Sequence, residues 1–320
     1  MADDSNHPLV GYRLEDGIAY LDIDVEGEPV NTLSPAMTGR FEELLDGLGR
    51  EAGLEGVVLH SSKPDNFIAG FDIEKLRELR DDADEMRSLI RRGHRLMSQF
   101  EELDAPIVAA VDGSCLGGGL EVALACSGRV AADTEATSFG FPEVKLGVIP
   151  GLGGTQRLPR VIDPQLALKM ILTGKEIDPD EAHDEGLVED VVHPGILLDR
   201  AADLARQLNE EEGSRIASQV PLETIREFVS DPTSEAVKLA AKTPARKWIF
   251  DQARETTRSK AGDDYPAPFR AIDVIETGFE EGFEAGIEAE TEAFVDLVQT
   301  DVAEHLIEIF FTKRELENDP

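Results

Sequence analysis

Residues 107–126, IVAAVDGSCLGGGLEVALAC, decide the fold. The apolar run 107–111 predicts a strand buried on both faces, and 120–126 has the composition of a buried helix. Between them stand three consecutive glycines, Gly117, Gly118 and Gly119. A glycine turn from strand to helix lets the backbone approach a ligand closely, because the unpaired N–H groups of the helix start point at it.

Two carboxylates stand in apolar surroundings near this turn. Glu121 lies in the predicted helix start, and Glu143 follows Pro142 in a second mostly apolar stretch. A carboxylate in such surroundings is costly unless it is paired or put to use. The pattern predicts a site that stabilises an oxyanion and carries two acid–base groups. The alternative is a tight turn with two carboxylates that only favour helix N-termini.

The composition limits the partners of the chain. Its 320 residues include 66 Asp and Glu against 31 Lys and Arg, which gives a net charge of −35. Such a surface repels nucleic acid and anionic membranes, so we expect neither as a partner. Because the acidic residues are spread along the chain, we interpret them as an adaptation to high salt, where screening weakens self-repulsion.

Other features predict a cytoplasmic protein without a metal. The N-terminus lacks the layout of a signal peptide, and no apolar run is long enough to form a transmembrane segment. The six histidines show no ligand spacing, so we expect no metal. Two cysteines, Cys115 and Cys126, do not make a disulfide framework and are expected to be small buried residues.

Short apolar strands recur along the first two thirds of the chain. They are predicted at 57–62, 107–111, 128–132 and 187–192, each followed by a loop and a helical run. This repetition predicts an α/β fold with a repeated ββα winding, not a doubly wound nucleotide fold. Residues 68–72 and 116–118 follow neighbouring strands in such a winding. Their backbone N–H groups are therefore predicted to face the same point.

The rest of the chain is predicted to be helical. A charged helical stretch runs from Glu74 to about Asp104, and a C-terminal helical region follows the last strand. Its expected helices are 197–212, 220–230, 233–257, 267–299 and 300–315. We therefore divide the chain into a catalytic core, 10–200, and a helical region, 201–320.

Four motifs resemble a known family. They are FIAGFDI at 67–73, GGGLE at 117–121, FPEVKLGVIPG at 141–151 and GGTQRL at 153–158. Together they are similar to the crotonase (enoyl-CoA hydratase/isomerase) superfamily, over about residues 10–200. The later segments YPAP at 265–268 and IFF at 309–311 resemble the hydratase half of bifunctional fatty-acid oxidation alpha subunits. In those proteins a dehydrogenase follows, so the last helices would be of a linker type.

The resemblance implies a mechanism. The thioester carbonyl of an acyl-CoA would lie against the N–H groups of Phe71 and Gly118, which would stabilise the enolate-like charge of the reaction. Glu121 would activate the water that adds to the β-carbon, and Glu143 would give a proton to the α-carbon. No cofactor is implied, because CoA is part of the substrate. The family more often has alanine in place of Phe71, whose side chain would bear on acyl-chain length.

The resemblance also implies contacts with CoA. The backbone at Ala69 matches one that contacts adenine in the family. Against the strongly negative surface, we predict a local basic rim from Lys63 and Lys75. The remaining predicted substrate-binding residues are Gly70, Asp72, Ile73 and Gly117.

The leading hypothesis is a 2-enoyl-CoA hydratase of fatty-acid β-oxidation. One alternative is another reaction of the same superfamily, either double-bond isomerisation or hydrolysis of a CoA thioester. Another is a non-catalytic acyl-CoA-binding or assembly module of a multienzyme complex. The resemblance further suggests a homo-oligomer and thiolase or dehydrogenase partners.

Overall fold

The computed structural model describes residues 1–218 and 244–318, which form two sheets with helices around them. The larger sheet has the order β1 (Val10–Glu15), β2 (Ile18–Ile23), β3 (Gly56–Ser61), β5 (Ile107–Val111), β7 (Gly128–Ala132) and β10 (Asp190–Val192). The smaller sheet has the order β4 (Asn66–Ile68), β6 (Ser114–Leu116), β8 (Ser138–Gly140) and β9 (Glu176–Ile177). Among the strands of the described residues, only β1 with β2 and β8 with β9 pair antiparallel.

Successive strand pairs divide between the two sheets. In β3–β4, β5–β6 and β7–β8 the first strand joins the larger sheet and the second the smaller one, and a helical segment follows each pair. The predicted α/β class and ββα winding are thus confirmed. Because β4 and β6 are parallel neighbours, the loops that leave them lie at the same edge of the smaller sheet.

The helices surround these sheets. In the core they are α1 (Pro35–Leu48), α2 (Ile73–Leu79), α3 (Ala83–Glu102), α4 (Gly118–Ala125), α5 (Gly154–Val161), α6 (Pro164–Thr173), α7 (Pro179–Asp184) and α8 (Leu197–Ser218). Further along the chain they are Pro244–Ala261, Pro266–Glu281, Phe283–Val298 and Asp301–Asn318. Two 3₁₀ turns cover Pro142–Leu146 and Pro194–Ile196.

Two predicted helices were wrong in extent, because each is two helices. The stretch 74–104 is interrupted before α3, where Asp82 caps the new helix by accepting a hydrogen bond from the Glu85 N–H. The stretch 267–299 is interrupted at Gly282, whose φ of 107° is not helical. Apolar spacing continues across both breaks, so periodicity alone did not detect them.

Other predicted elements fared differently. The helices 197–212 and 300–315 are confirmed, whereas the last strand of the repeat is shorter than 187–192. The predicted helix 220–230 lies outside the described residues, as does the first part of 233–257.

The late helices share the main hydrophobic core with the sheets. Phe250, Ile272 and Val298 are fully buried and belong to the same cluster as Leu59 and Phe139 of the strands. We call the helix pair Pro266–Val298 the C-terminal hairpin. The division at residue 200 stays a prediction, but the hairpin packs directly on the core. Among the described residues, no helix has the length and apolar character needed to cross a membrane.

Candidate active site

The first wall of the site is the loop after β4. Its position depends on Asn31, a fully buried side chain that donates hydrogen bonds to the carbonyls of Ile23 and Phe67. The backbone carbonyl of Asn31 accepts a hydrogen bond from Ala69 N–H at 2.9 Å, and Leu33 N–H donates one to the backbone carbonyl of Gly70 at 2.8 Å. These bonds fix the backbone on either side of residue 70 and present the following peptide to the interior.

The second wall is the glycine turn before α4. Gly117 has φ 53° and ψ −125°, and a Cβ placed on it would lie 2.7 Å from Glu143 Oε1. A Cβ on Gly119 would overlap the carbonyl oxygen of Ile68. Glycine is required at both positions, because a side chain would push the turn away from the acid or from β4.

The structure brings the N–H groups of Phe71 and Gly118 together. A Cβ placed on Gly118 would lie only 3.6 Å from the Phe71 nitrogen. Within residues 1–218 and 244–318, neither N–H donates a hydrogen bond to another protein group. Two adjacent backbone donors without a protein acceptor can stabilise an oxygen on which negative charge develops.

Glu121 is the first acid of the site. It is 2% exposed, and its Oε1 accepts hydrogen bonds from Leu152 N–H at 2.6 Å and Gly154 N–H at 2.8 Å. Burial raises the pKa of Glu121 to about 7, and the two amide bonds partly oppose that rise by stabilising the anion. Near neutral pH this carboxyl therefore exchanges its proton readily.

Glu143 is the second acid, on the 3₁₀ turn after Pro142. The residue keeps some exposed surface, but its Oε2 is enclosed and has no hydrogen-bond partner in the described part of the protein. Burial, and then the charge of Glu121, raise the pKa of Glu143 well above its ordinary value. Both causes disfavour the Glu143 anion, which suits a group that donates a proton.

A third buried acid, Glu290, was missed by the sequence reasoning. It is fully buried on helix Phe283–Val298 and accepts hydrogen bonds from Gly153 N–H at 2.6 Å, from Thr155 N–H at 3.1 Å and from the Thr155 hydroxyl. Burial, and then the charge of Glu121, raise its pKa to about 8. The helical register held a signal, because Glu290 falls on the same face as the buried residues Gly286, Ala293, Phe294 and Leu297.

Most residues predicted to bind CoA lie before, within or just after the loop that follows β4, whereas Gly117 lies in the glycine turn. Asp72 is the N-cap of α2 and accepts from Glu74 N–H, while Ile73 begins that helix. Lys63 pairs with Asp24 at 2.7 Å and Lys75 with Glu78 at 2.9 Å. Both lysines already have an acidic partner, so their role toward CoA stays a prediction.

The remaining reactive side chains do not join the site. Cys115 and Cys126 are buried, and burial raises the pKa of both thiols, that of Cys126 to about 12. Neither thiol is ionised near neutral pH. Across the two described ranges, no group of three His, Cys, Asp or Glu residues is placed to hold a metal ion.

Comparison with known proteins gives the family. A family model described as enoyl-CoA hydratase/isomerase matches residues 13–260. An enoyl-CoA hydratase from Bacillus anthracis is 30% identical, with a TM-score of 0.58, over 77% of this chain and 96% of that one. One from Geobacillus kaustophilus is 29% identical, with a TM-score of 0.62, over 78% and 95%. One from Bacillus halodurans shares the fold at 18% identity, with a TM-score of 0.65, over 94% and 99%.

Proposed function

This chain belongs to the enoyl-CoA hydratase/isomerase family, and on that premise we propose that it is a 2-enoyl-CoA hydratase of fatty-acid β-oxidation. One observation carries the proposal. Two acids with raised pKa values, Glu121 and Glu143, lie near two unpaired N–H groups, one from the glycine turn and one from the loop after β4. An enzyme that adds water next to a thioester needs a base, an acid and a site for the enolate oxygen.

The proposed reaction assigns one task to each group. The thioester oxygen accepts hydrogen bonds from Phe71 and Gly118 N–H, so that electron density moves from the 2,3 double bond onto that oxygen. Glu121 holds a water and takes its proton while the hydroxyl oxygen bonds to carbon 3. Glu143 then protonates carbon 2, and the thioester carbonyl reforms. The sum is addition of H and OH across the double bond.

The environments of the acids support this division of labour. The loop amides stabilise Glu121 as an anion, which suits a base. Glu143 Oε2 has no donor to stabilise its charge among the described residues, which suits an acid that keeps its proton until the substrate takes it. Pairs of titratable groups with separated pKa values are typical of acid–base sites.

A hydration assay on crotonyl-CoA tests the proposal. The full-length protein in salt-containing buffer is expected to hydrate it, and Glu121→Gln and Glu143→Gln are each expected to lower kcat by about 10²- to 10⁴-fold. The matched control is Glu288→Gln, because Glu288 is an exposed glutamate of the hairpin that pairs with Arg91. Wild-type activity on a 3-enoyl-CoA alone would support an isomerase, and binding without turnover would support an assembly module.

Further proposals follow from the resemblance. We propose a cytoplasmic enzyme that works as a homo-oligomer and is adapted to high salt, with a thiolase or dehydrogenase as a partner. We also keep the proposal of a basic rim from Lys63 and Lys75, with Ala69, Gly70, Asp72, Ile73 and Gly117 as further substrate contacts. Size measurement in solution tests the oligomer directly.

A further inference from the structure

Two carboxylates hold residues 152–155, the segment that leads into α5 and includes its first two residues. We call this segment the loop 152–155. Glu121 accepts from the N–H groups of residues 152 and 154, and Glu290 accepts from those of residues 153 and 155. The two acids thus use alternate amides of one loop. Glu121 comes from the catalytic core, whereas Glu290 comes from the C-terminal hairpin.

The hairpin is fixed against this loop by a buried polar contact. Gln156 is fully buried and donates from Nε2 to Thr155 Oγ1 at 3.0 Å and to Val274 O at 3.1 Å. Its side-chain amide fills a space that exists only because residues 278 and 286 are glycines, since a Cβ on either would overlap it. The position of Glu290 relative to the loop is therefore set by close packing.

Both oxygens of Glu290 are committed to the loop. Oε1 accepts from Gly153 N–H, and Oε2 accepts from the N–H and the hydroxyl of Thr155. Nothing in these contacts leaves an oxygen that faces a substrate. All of its hydrogen bonds within the described residues go to the loop, so the carboxyl can position Glu121 through that loop.

We propose that Glu290 is a positioning residue, which fixes loop 152–155 from the C-terminal hairpin so that the loop amides hold the carboxylate of Glu121. The inference rests on the proposed hydratase function and adds to it a part for the C-terminal hairpin. Without Glu290 the amides of Gly153 and Thr155 would lose their acceptors, and a buried N–H without an acceptor is costly. The loop would then shift, and its hold on Glu121 would weaken.

The charges around Glu290 give the role a pH signature. Two acids interact electrostatically with Glu290, namely Glu121 on α4 and Glu143 on the 3₁₀ turn. His94 on α3 lies with its Nε2 3.7 Å from Glu290 Oε1, and Arg157 on α5 acts on His94. Burial and the charge of Arg157 lower the pKa of His94 to about 3, so this imidazole is neutral at working pH. The charge of Glu290 contributes to the raised pKa of Glu143.

Three full-length variants test the inference: Glu290→Ala, Glu290→Gln and the control Glu288→Gln. We expect Glu290→Ala to lower kcat for crotonyl-CoA roughly 10- to 100-fold while KM changes less, because a displaced loop disturbs the geometry of Glu121. Glu290→Gln keeps an acceptor for one loop amide and should recover part of the loss. Glu288→Gln should behave as wild type.

The pH profile of kcat/KM separates positioning from general destabilisation. In Glu290→Ala the loop amides stabilise the Glu121 anion less, so its pKa rises and the acidic limb moves to higher pH. In Glu290→Gln the loop is retained, so the acidic limb should lie closer to that of wild type than it does in Glu290→Ala. A loss of folded protein alone would lower activity at every pH and move neither limb.

Hydrogen exchange gives a readout that does not need turnover. Amides of residues 152–155 should exchange faster in Glu290→Ala than in Glu288→Gln. If wild type proves inactive and exchange still accelerates, the function fails while the positioning holds. The positioning role is overturned if wild type is active and Glu290→Ala has the same kcat, the same pH profile of kcat/KM and the same exchange rates. Should Glu290→Ala not fold, Glu290→Gln decides: an unchanged kcat together with exchange of residues 152–155 as slow as in Glu288→Gln would overturn the positioning role.

Discussion

Glu121 and Glu290 are two buried acids that differ in how many of their oxygens the protein uses. Both are essentially inaccessible, and burial raises the pKa of both. Glu121 accepts its two loop hydrogen bonds, from the N–H groups of Leu152 and Gly154, on Oε1, at 2.6 and 2.8 Å. Glu290 has loop bonds on both oxygens. The difference agrees with the two proposed roles, in which Glu121 acts on the substrate and Glu290 positions the loop.

The surroundings of the two acids agree with this distinction. Glu121 lies on the helix that starts at the glycine turn, next to the N–H of Gly118 and within the field of Glu143. Glu290 lies on a helix whose neighbours are the loop, His94 and the apolar face of the hairpin. One acid therefore lies beside the candidate active-site turn, and the other lies against the loop and the hairpin.

The largest expected effect is a direct contrast between the two acids. Glu121→Gln should lower kcat by about 10²- to 10⁴-fold, because it removes the proposed base. Glu290→Gln should cost roughly 10-fold or less, since an amide can still accept one loop hydrogen bond. Initial rates with crotonyl-CoA measure both. Equal losses in the two variants would contradict the division into a chemical acid and a positioning acid.

A second test acts on the packing that positions Glu290. Gly286→Ala places a Cβ 2.8 Å from the Cα of Gly278 and into the Gln156 amide, so the hairpin must shift. We expect the free energy of unfolding to fall by about 1–3 kcal/mol, measured by urea denaturation at constant salt. Gly39→Ala, inside α1 and near only the end of Arg92, is the control and should not destabilise. Unchanged stability of Gly286→Ala would show that the hairpin contact is loose.

A third test uses the pH dependence of stability. The folded-state pKa of Glu290 is raised to about 8, so the folded protein keeps a proton that the unfolded chain releases near 4.5. Its stabilisation is fully present below about 4.5 and is lost as pH rises through 8. The free energy of unfolding of wild type relative to Glu290→Gln should therefore fall by up to about 1.4 kcal/mol per pH unit within this window. Parallel curves for the two proteins would refute the assignment.

The smallest effect is expected far from both acids. Lys75→Ala should raise KM for crotonyl-CoA about two- to fivefold if this partly exposed lysine contacts a CoA phosphate, because ion pairs near the surface are weak and salt screens them. Lys260→Ala on helix Pro244–Ala261 is the control and should leave KM unchanged. If KM is unchanged in both Lys75→Ala and Lys63→Ala, the proposed basic rim is removed and recognition is left to the backbone and the acids.

Different signals in the sequence led to the two acids. Glu121 was predicted because it interrupts an apolar helix start beside three glycines, which is a local pattern. Glu290 stands among Glu280, Glu281, Glu284, Glu288 and Glu292, most of which meet the ordinary expectation of a solvated face. Its register with buried residues of the same helix would have singled it out, but only with the helix start at Phe283 known.

The two backbone donors, Phe71 and Gly118, were also only partly predictable from the sequence. The sequence predicted that the loops 68–72 and 116–118 face one point, because they follow neighbouring strands, and the structure places Phe71 and Gly118 side by side. The sequence did not reveal Asn31 as the residue that fixes the first loop, since its side-chain amide donates to Ile23, Ser61 and Phe67, which lie on three different strands.

The sequence by itself determined most central strands of the larger sheet, the glycine turn and the two acids beside it, because apolar period, glycine and isolated charge are properties of neighbouring residues. The tertiary structure alone decided that a helix 137 residues further along the chain would supply the second clamp on the loop. Contacts of that kind depend on how the hairpin packs, and packing joins residues whose separation in sequence carries no local signal.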